Sequence, residues 1–160
     1  LPGLYKKRKM KAYICDIDGC LADSELRDFF KEQISKGDYS WFESRIPSFP
    51  PIESMTRLVF ALKNEHRIIY LTARNSSYRS ATIKWLKRFL LWDSKMYMRP
   101  DGNKDEDYVI KEVLLKQILE KYDVVGAIDD NPKCVAMYMA YGIPTYHFSF
   151  NKPTSPKETT

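Results

Sequence analysis

Cysteine is scarce in this chain of 160 residues, which has three, at positions 15, 20 and 134. An odd count with no CxxC spacing provides no disulfide framework and no zinc site, so a reducing cytoplasm is the default setting. Glycine is also scarce, six in all. None falls in a GxxxxGK[ST] loop, which excludes a P-loop kinase. His66 and His147 are the two histidines; both read as structural, and histidine-based catalysis is set aside. No apolar run approaches the roughly 20 residues of a bilayer-spanning helix, no secretory apolar segment opens the chain, and no internal repeat is present.

Charge of one sign is lacking too, outside a single segment. The formal charge of +5 comes from 26 basic against 21 acidic residues. Lys6, Lys7, Arg8, Lys9 and Lys11 supply five positives with no acid among them. Without these five the body is neutral, so the basic character belongs to an arm over residues 1–11. Such an arm is a solvated terminus, a nucleic-acid contact or an import signal. Met10 is a candidate native start with a leader before it. The hydrophobic share of 44% and aromatic share of 14% support one globular domain with its own core, over residues 12–150.

Strand-like and helix-like segments alternate through that domain. Strands are expected over Tyr13–Ile17, Arg67–Leu71, Met96–Met98, Val124–Ile128 and Pro144–Phe148. Helices are expected over Ser24–Lys36, Glu53–Asn64, Ser77–Leu91, Asp105–Tyr122 and Lys133–Tyr141. In the second of these, Met55, Leu58, Val59 and Leu62 would face inward. Gly37–Pro51 reads as irregular and aromatic, and residues 24–52 as a small cap-like insert after the first strand. Residues 151–160 read as a disordered tail. Alternation with hydrophobic strands predicts an α/β fold, a mostly parallel five-stranded sheet with helices on both faces. Ligands in such sheets bind beyond the carboxyl ends of the strands.

Polar clusters stand at those ends. The apolar run before Asp16 closes on Asp16 and Asp18, spaced i, i+2, with Gly19 immediately after. Two acids at the end of a buried strand are costly unless a cation neutralises them. A calcium loop would continue its ligands at alternate positions, and Cys20 and Ala22 interrupt that series. Thr72-Ala73-Arg74 closes a second strand and Asp129-Asp130 a third. The last pair alone is compatible with a turn before Pro132; with Asp16 and Asp18 it forms an oxygen-rich site suited to Mg²⁺.

In this order the residues resemble the haloacid dehalogenase (HAD) superfamily of phosphotransferases. Its four motifs match Asp16-Ile17-Asp18-Gly19, then Thr72, then a lysine on a helix, then Asp129-Asp130. Lys111 is preferred over Lys104 for the third, since it lies in a periodic helix beside an acid. Arg27, Arg74, Arg99 and Asp107 extend the resemblance to the 3′-phosphatase domain of phage polynucleotide kinase and its stand-alone phage relatives. Ala73 replaces that family's usual glycine and Cys20 its usual threonine, and no kinase domain is expected within these 160 residues.

The resemblance implies a Rossmann-like HAD core and a Mg²⁺-dependent phosphatase in a host cytoplasm. Asp16 would attack phosphorus, and Asp18 would serve as acid and then base. Lys111 and Thr72 would hold phosphate oxygens. Mg²⁺ would bridge Asp16, Asp129 and the backbone carbonyl of Asp18, with Asp130 placing a metal-bound water or an arginine. Asp107 would pair with Lys111 at i, i+4, and Arg27, Arg74 and Arg99 would touch substrate or merely form surface salt bridges. Tyr39, Trp41 and Phe42 would stack a base or pack the insert. The implied partner is a phosphorylated nucleic-acid end or a nucleotide, with no membrane. A (deoxy)nucleotidase and a non-catalytic end-binding module are the competing readings.

Overall fold

Alternating side-chain direction along each strand sorts the core of this protein into two layers. A computed structural model describes residues 7–23 and 40–149. Among them, β1 (Met10–Cys15), β2 (Arg67–Asn75), β3 (Lys95–Arg99), β4 (Tyr122–Asp129) and β5 (Thr145–His147) form one sheet in the order β3-β2-β1-β4-β5. Every pairing is parallel. Ala12 and Ile14 of β1, Ile69 and Leu71 of β2 and Ala127 of β4 point to one face. Cys15, Ile68, Tyr70 and Ile128 point to the other, as the period of two requires.

Helices cover both faces. The Cys15 face packs against α2 (Glu53–Leu62) through Met55 and Val59, and α3 (Arg79–Arg88) through Trp85 and Leu86. The Ile14 face packs against α4 (Asp107–Lys121) and α5 (Pro132–Ala140), through Ile110, Leu114, Leu115, Ile118, Met137 and Tyr138. Parallel strands buried on both faces need such apolar runs. No helix among the described residues is long and apolar enough to cross a membrane.

Several elements differ from the sequence expectation. β2 runs four residues past Leu71, because Asn75 still pairs with Arg99 after a register shift. α3 starts later than expected, behind a 3-10 turn over Ser76–Tyr78 capped by the Asn75 side chain, which accepts from Ser77 N at 2.8 Å. Leu58 points outward, 44% exposed, since α2 touches the sheet through the narrower Met55–Val59 stripe. The insert is more regular than its composition suggested. It holds α1 (Ser40–Arg45) and a 3-10 turn over Ile46–Ser48, and it buries Ile46 and Phe49. Trp85 Nε1 donates to the Phe49 carbonyl at 2.9 Å, and Asp23 N to that of Pro50 at 2.8 Å, which fastens the insert to the core. The helix expected over Ser24–Lys36, with Arg27, and the tail after Asn151 lie outside the described residues, as does Tyr39.

β1 and β4 slip by one residue between Ala12 and Tyr13. The Tyr13 ring lies over Gly126, where an added Cβ would come within 2.4 Å of it, so only glycine fits that position.

Candidate active site

The site follows from where three strands end. Asp16 continues β1 and donates its backbone N–H to Ile128 at 3.0 Å, which brings it beside Asp129, the last residue of β4. Period-two alternation turns both carboxylates to the face that α4 covers. Lys111 of α4 lies on the same helical stripe as Leu115 and Ile118, and is 2% exposed. Its ammonium donates to Asp16 Oδ1 at 3.0 Å and to Asp129 Oδ2 at 2.7 Å. Asn131 N donates to the other oxygen of Asp129 at 2.9 Å. Asp129, fully buried, thus has a partner on each oxygen.

Burial pushes the Asp16 carboxyl well above its usual range; Lys111 opposes this, and Asp129, Asp130 and Asp18 reinforce it. Lys111 is drawn down by burial, but Asp16 and Asp129 outweigh that and hold it well above the ordinary lysine value. It is a charged ammonium between two acids.

Asp18 is held from the far side of the cleft. Arg74 Nε donates to its Oδ2 at 2.8 Å and Arg74 Nη2 to its Oδ1 at 2.7 Å, a bidentate pair. Arg74 is itself buried, with the Phe42 and Phe49 rings 5.4 and 5.6 Å from its guanidinium carbon. Its Nη1 donates to Thr82 Oγ1 at 3.2 Å. The Thr72 hydroxyl oxygen accepts from Arg74 N at 3.1 Å, within β2 where its pairing with β3 shifts register.

Gly19 has φ +80°, and a Cβ there would come within 2.1 Å of Asp130 Oδ2. Glycine is therefore what lets the Asp130 carboxylate lie against the loop after β1. Asp16, Asp130 and Cys20 bring donor atoms within 4.8 Å of one another. Burial drives the Cys20 thiol far above its usual value, so it is a neutral thiol beside two oxygen donors. The acids Asp16, Asp18, Asp129 and Asp130 face the cations Lys111 and Arg74, an excess of two negative charges. Oxygen donors with that excess fit a hard divalent cation such as Mg²⁺.

These contacts bear on four expectations. Asp130 lies with Asp16 and Cys20 in the group whose donor atoms come within 4.8 Å of one another, while the oxygens of Asp129 meet Lys111 and Asn131 N. The Asp18 carboxylate faces Arg74, so any share it has in cation binding falls to its backbone. Asp107 pairs with Arg99 at 2.7 Å and not with Lys111. Arg99 also donates to Ala73 O at 2.9 Å, Asn103 Oδ1 at 2.8 Å and Asp105 O at 2.6 Å. Three of its N–H groups brace the loop 100–107 and a fourth ties it to β2, so it acts as a strut for that loop.

The remaining candidates are placed as follows. Lys111 and not Lys104 occupies the centre, and Lys104 lines the rim, exposed. Phe42 packs on Phe49 and Tyr78, and Trp41 sits edge-on to Phe42, so both support the insert. His66 packs edge-on against Tyr13, and His147 Nε2 lies 3.2 Å from the Asp130 carbonyl. Thr82 escaped the sequence reading. The signal was available: a hydroxyl residue at i−3 and i−4 from Trp85 and Leu86, on a stripe otherwise apolar.

The four strand-end groups open into a cleft of about 820 Å³, lined among others by Asp16, Asp18, Thr72, Arg74, Lys111 and Asp130. An anchored carboxylate, a second carboxylate opposite it, and buried cations between them suit transfer of a phosphoryl group to Asp16.

Comparison with known proteins bears on the fold and the family. A protein described as a bifunctional polynucleotide kinase/RNA ligase, from Autographa californica nuclear polyhedrosis virus, is 27% identical over 139 residues. That match takes in 84% of this chain and 19% of the viral protein. In the structure of the Pnkp1/Rnl/Hen1 RNA repair complex, one chain superposes with TM-score 0.73 at 23% identity, over 89% of this chain and 43% of that one. The chain thus spans less than half the length of each of these two relatives. The class C acid phosphatase of Bacillus anthracis superposes with TM-score 0.65 at 15% identity, over 90% of this chain and 68% of that one. A family model described as the polynucleotide kinase PNKP phosphatase domain matches residues 10–151. With nearly the whole chain inside that match, the protein belongs to the HAD-type phosphatases of the polynucleotide kinase phosphatase family.

Proposed function

We propose that this protein is a Mg²⁺-dependent phosphomonoesterase that removes a 3′-phosphate from a polynucleotide end through an aspartyl-phosphate on Asp16. The observation that carries the reading is the convergence of Asp16, Asp18, Thr72, Lys111 and Asp130 on one cleft from three strand ends and a helix.

A phosphate dianion must approach the Asp16 carboxylate, and two unit charges ~4 Å apart repel by about 4 kcal/mol at an effective dielectric near 20. Lys111 supplies one compensating charge from beside the nucleophile. A cation held by Asp16 and Asp130 would offset the rest and polarise a phosphate oxygen. Asp16 uses Oδ1 on Lys111, which leaves Oδ2 to form the bond to phosphorus as the ester bond to the leaving oxygen breaks. Asp18 must first take up a proton from solvent on one of the oxygens that Arg74 holds; it gives that proton to the leaving oxygen, then takes one from the water that hydrolyses the aspartyl-phosphate. Thr72 and nearby backbone N–H groups would bind the equatorial oxygens.

The substrate class rests on the family and on the viral and RNA repair relatives. It is tested with 3′- and 5′-phosphorylated oligonucleotides and with mononucleotides, in Mg²⁺ and after its removal. Phosphate release is expected from the 3′-phosphorylated oligonucleotide in Mg²⁺, with essentially none from Asp16→Asn. Preference for mononucleotides would replace this reading with a nucleotidase. Binding of oligonucleotide ends without phosphate release would replace it with an end-binding module.

A further inference from the structure

We propose that Thr82 is a positioning residue for the acid/base carboxylate Asp18, acting through Arg74; this rests on the phosphatase reading above. Thr82 is fully buried on α3, on the stripe that also carries Trp85 and Leu86. Valine has nearly the same shape and would pack there without a hydroxyl to satisfy. The Thr82 hydroxyl instead accepts from Arg74 Nη1 at 3.2 Å, while Nε and Nη2 of the same guanidinium grip both oxygens of Asp18. A guanidinium is planar and its N–H directions are fixed relative to one another. Anchoring one nitrogen on Thr82 therefore sets the plane in which the other two meet Asp18. Phe42 and Phe49 flank the same guanidinium and leave rotation about its long axis to the hydrogen bonds.

Asp18 must point a proton at the leaving oxygen. Without the Thr82 hydroxyl, Arg74 can tilt and carry Asp18 with it. The loss falls on the step that needs an acid. An alkyl leaving group, such as the 3′ oxygen of a sugar, needs that proton; p-nitrophenolate, a stable anion, hardly needs it. Since kcat/KM covers events through the first irreversible step, it isolates cleavage of the ester from later hydrolysis of the aspartyl-phosphate.

The test measures kcat/KM of the full chain on a 3′-phosphorylated oligonucleotide and on p-nitrophenyl phosphate, for the parent, Thr82→Val, Thr82→Ala and Thr82→Ser. For Thr82→Val, kcat/KM on the oligonucleotide should fall about tenfold, within the range acid catalysis supplies, and that on p-nitrophenyl phosphate by no more than about twofold. Thr82→Ser keeps the hydroxyl and should restore the oligonucleotide rate to within about threefold of the parent. Thr82→Ala serves if the valine variant folds poorly, as judged by its melting temperature. Equal losses on the two substrates, no loss on either, or a serine variant no better than valine would each overturn the proposal. A parent chain inactive on both substrates would instead reject the phosphatase reading.

Discussion

Replacing Lys111 by methionine tests the electrostatic core of this protein directly. The ammonium is the buried cation that touches both Asp16 and Asp129, at 3.0 and 2.7 Å. Methionine fills similar space without charge and leaves two buried carboxylates side by side. Breaking a buried ion pair from one side costs about 3–5 kcal/mol. For a chain of this size each kcal/mol lowers Tm by roughly 2–4 °C, so Tm of the metal-free protein should drop by about 6–20 °C. The pH dependence has a definite sign. Burial and neighbouring acids already hold Asp16 above its unfolded range, and loss of Lys111 raises it further. A carboxyl raised in the folded state contributes stability that is full below its unfolded pKa and is lost as pH rises through the folded one. The gap between variant and parent should therefore narrow on acidification from about pH 7 to about pH 5, as protons replace the ammonium. Thermal unfolding followed by circular dichroism in EDTA at several pH values measures this. A gap under about 2 °C at neutral pH, below the shift from even 1 kcal/mol, or one that widens in acid, would refute the electrostatic account.

Three further outcomes are expected. Gly19→Ala should lose about 1–3 kcal/mol from its left-handed backbone and displace Asp130, which lowers Mg²⁺ affinity by calorimetry; unchanged affinity would detach Asp130 from the cation. Arg99→Ala removes three donors from the loop 100–107 and should make that loop the first site of limited proteolysis. A cleavage pattern like the parent's would show that the loop needs no strut. Since Asp16 is held above its ordinary range, a cation must displace a proton there, and apparent Mg²⁺ affinity should weaken as pH falls from about 8 to about 5. A flat profile would mean that Asp16 is already ionised without metal.

Much of this was legible in the chain because each motif sits where an apolar run stops. Asp16 and Asp129 mark strand ends and Thr72 the register shift near the end of β2, and parallel order brings the three together. Partner choice was less legible, since it depends on which face a side chain takes and how far it reaches. Asp107 stands one turn before Lys111 on the same stripe, yet Lys111 reaches in to Asp16 and Asp129 while Asp107 pairs with Arg99. Arg74 and Asp18 are 56 positions apart and pair because β1 and β2 are neighbours. Asp129 and Asp130 differ because β4 ends at Asp129, and Asp130 lies in the bend beyond it, against Gly19.

The slip between β1 and β4 has a chemical consequence at the other end of the strands. With Ala12 level with Val124, unbroken pairing would set Cys15 beside Ala127 and Asp16 beside Ile128. The spare residue in β4 advances its frame by one, so Cys15 meets Ile128 and the next pair of positions is Asp16 and Asp129. Lys111 can bind the two acids together only in that alignment. A small irregularity beside a tyrosine ring, on the side of the sheet away from the reaction, thus decides which acids share one ammonium.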